Sequence, residues 1–474
     1  MSALETTKTV AVVGAGTMGA GIAQLAAAAG HPVVLFDAFE GAAEKGKAGV
    51  DKGLDKLVSR GKMTAETKAA LLARIRLASD ISEVAEASLV VEAIIENLEI
   101  KRELFASLEN LVASDTILAT NTSSISVTAI ARELKHPQRF LGMHFFNPAP
   151  VMKLVEVISG VATDAGAAEM IYDTAQNWGK IAVHAKSTPG FIVNRVARPY
   201  YAEALRLCEE QVASPATLDA LLTGAGGFRL GPFALMDLIG NDVNYAVSES
   251  VFNAYYQEPR FRPSIMQLEL VNAGRLGRKS GRGFYDYADD ATLAQAALEN
   301  ADSNAEAADI KLSGGFDIDG VVVEQTTGVT AAARAKTLGK PVIVLDLNKG
   351  TGTSVVGFAC STNVEDETVS KLVAGLAAQD IKAVRLPDWP GLVVMRTVAM
   401  LANEGYEANM QGVASFEAID NAMKYGVNYP KGPIEWANEI GLANVLAVLD
   451  GIYHLTRDPR YRAALSLRLA ADNH

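Results

Sequence analysis

The first 37 residues constrain the fold more than any other stretch of the chain. Residues 8–13, KTVAVV, form a short β-branched run that predicts a buried strand, and GAGTMGAG follows at once. Gly14, Gly16 and Gly19 spell GxGxxG, while IAQLAAAAG continues as a helix closed at Gly30. The first glycine permits a tight turn, the second lets backbone approach a pyrophosphate, and the third lets helix and strand pack closely. Thr17 and Met18 fall at the start of the helix, where phosphate oxygens meet free amides. Residues 31–36 supply a second strand ending on Asp37, eighteen residues beyond Gly19, where an acid can take a ribose 2′-OH. A carboxylate there would repel a 2′-phosphate and no arginine follows it, so the expected cofactor is NAD rather than NADP.

Beyond this unit, residues 40–75 predict two polar helices around the turn SRGKM, dense in Lys45, Lys47, Lys52, Lys56, Arg60 and Lys62. Such a face is either simply solvated or a landing place for the phosphates of an acyl carrier. Strand and helix then alternate through LVVEAI (89–94), NLEIKRELFASLENL, TILATN (116–121) and RFLGMHF (139–145), which predicts a mostly parallel, doubly wound sheet. Ligands of such sheets bind outside the carboxyl ends of the strands, and Glu96, Asn121, Ser123 and His144 all fall there, with Asn97 and Ser126 as helix caps. A further strand, KLVEVI (153–158), turns Glu156 inward among apolar neighbours. A buried carboxylate needs a partner, and His144 is the natural candidate.

The pattern becomes helical from Pro189 to about Tyr256 and closes at GRKSGRGFYDY. Residues 288–312 are rich in alanine and acids and read as a linker with some helical character. DGVVV (319–323), PVIVLDL (341–347) and a run near IKAVRL then read as strands that lack both GxGxxG and the HFFN stretch. PGFIVNR returns as PGLVVMR and GPFALMDLIG as GPIEWANEIG, both 201 residues later, so 189–240 aligns on 390–441 without a gap. Of these 52 pairs 13 are identical, but Asn194 becomes Met395, which marks the second copy as structural rather than catalytic. We therefore expect segments at 1–186 (NAD-binding), 187–287 (helical), 288–312 (linker), 313–386 (reduced α/β) and 387–474 (second helical module). A net charge of −12 argues against nucleic acid or an anionic membrane as partner. Two cysteines without a metal motif suit a reducing compartment, and without a basic leader or membrane-length apolar run the expected location is the cytoplasm.

The motifs GAGTMGAGIAQ, VVEAIIENLEIK, NTSS, HFFNPAPVMKLVEV, TPGFIVNR and GRKSGRGFY, in this order over residues 8–287, resemble the (S)-3-hydroxyacyl-CoA dehydrogenases, including 3-hydroxybutyryl-CoA dehydrogenase. The remainder resembles the reduced Rossmann-like segment and second C-terminal module of long bacterial members, such as those similar to 3-hydroxyadipyl-CoA dehydrogenase of phenylacetate breakdown. That resemblance implies a Rossmann domain with helical C-terminal modules and makes His144 and Glu156 the catalytic pair, with Ser123 and Asn194 near the reacting oxygen. It places Asp37 on the adenosine ribose and Glu96, Lys101, Asn147 and Lys279 around NAD. Asn121, on a strand end beside Ser123, is counted with them. Members carry a serine and a lysine where this chain has Gly53 and Arg60; the arginine keeps a phosphate-binding charge near Lys56, and the glycine removes a hydroxyl. The two helical modules are expected to meet as an intrachain pseudo-dimer, with association of whole chains left open. Two other functions fit fewer of these features: a dehydrogenase of a free hydroxy or sugar acid, and a non-catalytic NADH-binding relative.

Overall fold

The computed structural model describes residues 2–292 and 294–473, which fall into two compact units: residues 1–193 with 412–427, and residues 194–411 with 428–474. The first unit holds an eight-stranded sheet. Its strands are β1 (Val10–Val13), β2 (Val33–Phe36), β3 (Ile75–Leu77), β4 (Leu89–Glu92), β5 (Ile117–Thr120), β6 (Phe140–Phe145), β7 (Leu154–Ser159) and β8 (Ile181–Lys186), in spatial order β3-β2-β1-β4-β5-β6-β7-β8. All pairs are parallel except β6 with β7, where His144 stands directly opposite Glu156. β3 and β8 were not anticipated, because β3 is only three residues long with Arg76 at its centre and β8 ends in alternating polar residues that dilute the apolar signal. The order reverses between β1 and β4, and that switch point places the glycine turn at the carboxyl edge. Val10, Val12, Leu35, Val91, Met143 and Val157 form the apolar centre of this layer.

The second unit carries a smaller sheet of β9 (Phe316–Ile318), β10 (Val321–Gln325), β11 (Val342–Leu345), β12 (Val355–Cys360) and β13 (Lys382–Arg385), ordered β13-β12-β11-β10-β9. Here β11 and β12 are antiparallel and β12 and β13 parallel, the same pattern as β6, β7 and β8. The correspondence reaches further back than the sequence repeat. The helix Ala165–Asn177 recurs 201 positions later as Asp366–Ala377, and β7 recurs as β12. Residues 288–312 contain no helix among those described. Backbone bonds from Glu299 to Ala383 on β13 and from Ala308 to Lys371 on the helix Asp366–Ala377 instead fasten this stretch.

Within the second unit the helices Arg198–Glu209 and Val394–Met410 pack against each other. Their charges obey the 201-residue offset reciprocally: Arg195 pairs with Glu404 at 2.6 Å and Arg396 with Glu203 at 2.8 Å. Arg195 also donates to Gln411 and Arg396 to Glu210, again equivalent positions. A contact of i with j matched by one of j with i is the signature of a two-fold interface, here folded into one chain. The repeats also exchange a helix. Pro215–Gly224 packs on β12, and its counterpart Phe416–Gly426 packs on β7 and β8. Residues 387–474, expected as one module, are therefore divided between the units, since residues 412–427 are needed to cover the large sheet.

Candidate active site

The glycine turn is built as its sequence demands. Gly14 has φ +102°, a conformation closed to most L-residues, and a Cβ on Gly19 would lie 1.7 Å from the Gly14 carbonyl oxygen. A Cβ on Gly16 would meet nothing, so this backbone stands open to a ligand. A cavity of about 590 Å³ adjoins it, lined among others by Gly16, Thr17, Asp37, Lys45 and Pro148. That size, the open amides at the start of the helix Thr17–Ala28, and Asp37 at its edge fit a dinucleotide. Asp37 holds the loop as well, its two oxygens accepting from Ala15 N at 2.7 Å and Phe39 N at 2.9 Å.

Three side chains form a chain of hydrogen bonds at the carboxyl edge. Ser123 Oγ lies 3.0 Å from His144 Nε2, and His144 Nδ1 lies 2.7 Å from Glu156 Oε2. His144 is 4 % exposed and Glu156 1 %, with the imidazole packed against Phe146 and Phe191. The second carboxylate oxygen accepts from Ile192 N at 3.0 Å and Val193 N at 3.1 Å. Glu156 thus does two things: it fixes the Nδ1–H tautomer, leaving the Nε2 lone pair as a base, and it anchors the PGFIVN turn. Serine, histidine and carboxylate in line also describe a hydrolase triad. Its position on a dinucleotide-binding sheet, beside the glycine turn, argues for redox chemistry.

The serine loop is itself clamped. Glu96 accepts from Thr122 Oγ1 (2.7 Å), Ser123 N (2.9 Å) and Ser124 N (3.0 Å). Burial pushes its carboxyl up, but Thr122, the nearby Lys101 charge and the amides outweigh this and hold it below the usual range. Lys101, expected beside the cofactor, is buried and commits its ammonium to Glu92 at 2.5 Å, with Glu96 at 3.4 Å. Glu92, which also accepts from Thr120 Oγ1, was missed by sequence reasoning; an acid closing an apolar strand nine residues before a lysine was the available signal. Asn121 Oδ1 accepts from Phe145 N and ties the ends of β5 and β6 together. Asn147 is exposed on the loop after β6. That loop is held by Lys180, whose Nζ donates to Ala149 O and Met152 O, and whose pKa burial lowers to about 8.

The remaining predicted residues lie elsewhere. Gly53, Lys56 and Arg60 are exposed along and just beyond the helix Ala42–Ser59. Lys68 binds both Asp51 and Asp55 of that helix, and among the described residues Lys56 and Arg60 form no ion pair. Asn194 and Lys279 belong to the second unit, where Lys279 pairs with Asp242 at 2.6 Å.

Comparison with known proteins agrees with this geometry. Residues 9–188 match the model of the 3-hydroxyacyl-CoA dehydrogenase NAD binding domain, residues 190–287 and 391–474 its C-terminal domain, and residues 323–390 the 3-hydroxybutyryl-CoA dehydrogenase reduced Rossmann-fold domain. The chain is 48 % identical to a 3-hydroxyadipyl-CoA dehydrogenase of Escherichia coli K12 over 98 % of this chain and 97 % of that one. It is 42 % identical to the human mitochondrial hydroxyacyl-coenzyme A dehydrogenase over 59 % of this chain and 91 % of the other. A crystal structure of 3-hydroxybutyryl-CoA dehydrogenase from Escherichia coli K12 superposes with a TM-score of 0.94 at 47 % identity, covering 99 % of both chains.

Proposed function

The chain belongs to the 3-hydroxyacyl-CoA dehydrogenases, NAD-dependent oxidoreductases, and from that premise we propose that His144 and Glu156 provide the general base for NAD-linked oxidation of a six-carbon dicarboxylic substrate, 3-hydroxyadipyl-CoA, in the cytoplasm. The observation that carries the chemistry is the Ser123–His144–Glu156 hydrogen-bond chain. His144 Nε2 takes the proton of the substrate 3-hydroxyl. Bound NAD supplies the acceptor for the hydride that leaves C3. Glu156 keeps Nδ1 protonated and stabilises the imidazolium that forms, which leaves the Nε2 lone pair to act as the base. Ser123 Oγ, and Asn194 by the family motif, hydrogen-bond the oxygen as it changes from hydroxyl to carbonyl. In the reverse direction His144 returns the proton to the reduced oxygen.

Asp37 takes the adenosine ribose, and Glu96, Lys101, Asn121 and Asn147 hold the loops around the nicotinamide half, with Lys279 a further cofactor contact. The exposed, unpaired Lys56 and Arg60 receive phosphates of coenzyme A beside Gly53. The two helical modules act as an intrachain pseudo-dimer, a reading supported by their reciprocal ion pairs. The choice of the adipyl chain is supported by near full-length similarity to a 3-hydroxyadipyl-CoA dehydrogenase. Steady-state kinetics across a 3-hydroxyacyl-CoA series tests it: 3-hydroxyadipyl-CoA should show the highest kcat/KM, and a clear preference for 3-hydroxybutyryl-CoA would overturn the substrate assignment while leaving the dehydrogenase intact.

A further inference from the structure

The second unit buries five arginines among its described residues: Arg195, Arg198, Arg206, Arg260 and Arg396. Four pair with carboxylates: Arg195 and Arg260 with Glu404, and Arg206 and Arg396 with Glu203. Arg198, 6 % exposed, forms no ion pair among the described residues, and no carboxylate opposes the lowering of its pKa by burial. Its Nε donates to the Asn194 carbonyl at 2.8 Å and its Nη1 to Ser248 Oγ at 3.0 Å, while its guanidinium lies 4.9 Å from the Tyr201 ring centre. Nη2 makes no hydrogen bond among the described residues. An arginine stays charged when buried, and such a charge is strongly unfavourable unless something supplies its counterion.

A cavity of about 290 Å³ adjoins this side chain, walled by the helix Arg198–Glu209 and by residues 261–267. Ser264 opens the helix Ile265–Asn272, and its amide, like Arg198 Nη2, makes no hydrogen bond among the described residues. Free amides at a helix start favour anions. Arg262, on the same wall, is exposed and forms no ion pair among the described residues. The lining holds one acid, Glu209, whose Oε1 already accepts from Ser264 Oγ at 2.6 Å and from Met266 N at 3.4 Å. On balance the lining is cationic.

The internal repeat shows the same place closed. Helix Val394–Met410 is the counterpart of Arg198–Glu209 at an offset of 201, and PRYR at 459–462 is that of PRFR at 259–262 at an offset of 200. Arg198 and Ala202 thereby correspond to Ala399 and Asn403. Asn403 is fully buried; its Nδ2 donates to Arg462 O at 3.0 Å and its Oδ1 accepts from Ala464 N at 2.7 Å, the counterparts of Arg262 O and Ser264 N. A neutral amide thus fills the second copy, whereas the first has only a methyl group there and adds a cation. Both differences favour an anion in the first copy.

We propose that this cavity is a binding site for a small oxyanion, a phosphate or carboxylate group, which accepts from Arg198 Nη2 and the Ser264 amide in the place that Asn403 fills in the second copy. The bound anion supplies the counterion of Arg198 and ties the helix Arg198–Glu209 to the start of the helix Ile265–Asn272, as Asn403 ties their counterparts. A guanidinium suits either group, since its planar fork matches phosphate and carboxylate oxygens alike. The site lies wholly within the second unit and is independent of the acyl substrate.

Thermal unfolding of the full chain tests this, with NADH saturating so that the dinucleotide site is filled, in sodium phosphate, sodium acetate and sodium chloride at equal ionic strength and pH. Native Tm should rise saturably by about 2–4 °C over chloride in phosphate, in acetate or in both. A rise in phosphate alone identifies a tetrahedral oxyanion, and one in acetate alone a carboxylate. Arg198→Met should abolish the rise, and so should Ala202→Asn, which places the second copy's amide in the first. A native Tm no higher in phosphate and acetate than in chloride overturns the proposal. A rise that survives in either variant does the same, since the anion then binds elsewhere. If Arg198→Met does not fold, the native chain and Ala202→Asn still decide, and no outcome depends on turnover.

Discussion

The two halves of this chain solve one structural problem with different residues, and only one solution leaves a histidine paired to the anchoring carboxylate. In the N-terminal half the amides of Ile192 and Val193 are held by Glu156 on β7, whose other oxygen holds His144 on β6. In the C-terminal half the equivalent amides, Val393 and Val394, are held by Asp346 Oδ2 at 3.0 and 2.8 Å. Asp346 follows β11 and bonds backbone to Gly357, so it occupies the place of His144, and Gly357 that of Glu156. Its second oxygen accepts from Met395 N, where Glu156 offers its own to an imidazole. Both copies need a carboxylate to anchor the turn. The carboxylate has moved one strand over, into the histidine's place, and the base is gone. Conversely, Glu156 is a structural anchor as well as the proposed partner of a catalytic His144.

Removing the base should produce the largest effect. His144→Ala is expected to lower turnover about 10²- to 10⁴-fold with NADH affinity, read by fluorescence titration, within a few-fold of native. Interface positions should behave oppositely. Arg396→Met takes the ion-pair partner from Glu210 and one of two arginines from the buried Glu203, and should reduce stability by about 3 kcal/mol in denaturant unfolding, with turnover per folded molecule little changed. Asp346→Ala leaves three amides at the turn without their acceptor, each worth about 1–3 kcal/mol, and should destabilise by about 3 kcal/mol or more without loss of turnover. Loss of catalysis in that variant would break the contrast between a working and a supporting half.

A smaller effect sharpens the same contrast by pH. Burial, against the amides that hold it down, pushes Asp346 up to about 6 from an ordinary 3.8. A carboxyl raised on folding contributes its stability in full below the unfolded value and loses it as pH rises through the folded one. The Tm advantage of the native protein over Asp346→Asn should therefore be greater at pH 5 than at pH 7.5. Asp219, also raised to about 6 by burial, is present in both proteins and cancels in that difference.

Much of the site was legible because its chemistry demands particular residues at particular strand ends. The glycine turn, Asp37, Ser123, and the inward face that brings Glu156 to His144 all follow from spacing and alternation. Less legible was what depends on the exchange between repeats. The ungapped repeat seemed to begin at residue 189, because upstream of it identity fades as His144 gives way to Asp346 with a one-residue slip and Glu156 to Gly357. β12, VVGFAC, carries a glycine where β7 carries its acid, so neither strand announced the other. Nor does local sequence reveal that residues 416–426 cover a sheet formed some 250 positions earlier, since an amphipathic helix does not name the surface it packs on. The support beneath the serine loop, Glu92 with Lys101, was hidden because a buried ion pair looks the same in sequence as two surface charges.

The most direct test of the account is single-turnover reduction of acetoacetyl-CoA by NADH in Glu156→Gln. Glutamine keeps an amide oxygen for Ile192 and Val193 but turns an NH₂ toward His144 Nδ1, so the anchor survives and the tautomer does not. The account predicts a chemical step slowed at least about 10²-fold, with NADH binding and Tm close to native. A chemical step at the native rate would contradict the claim that Glu156 acts through His144.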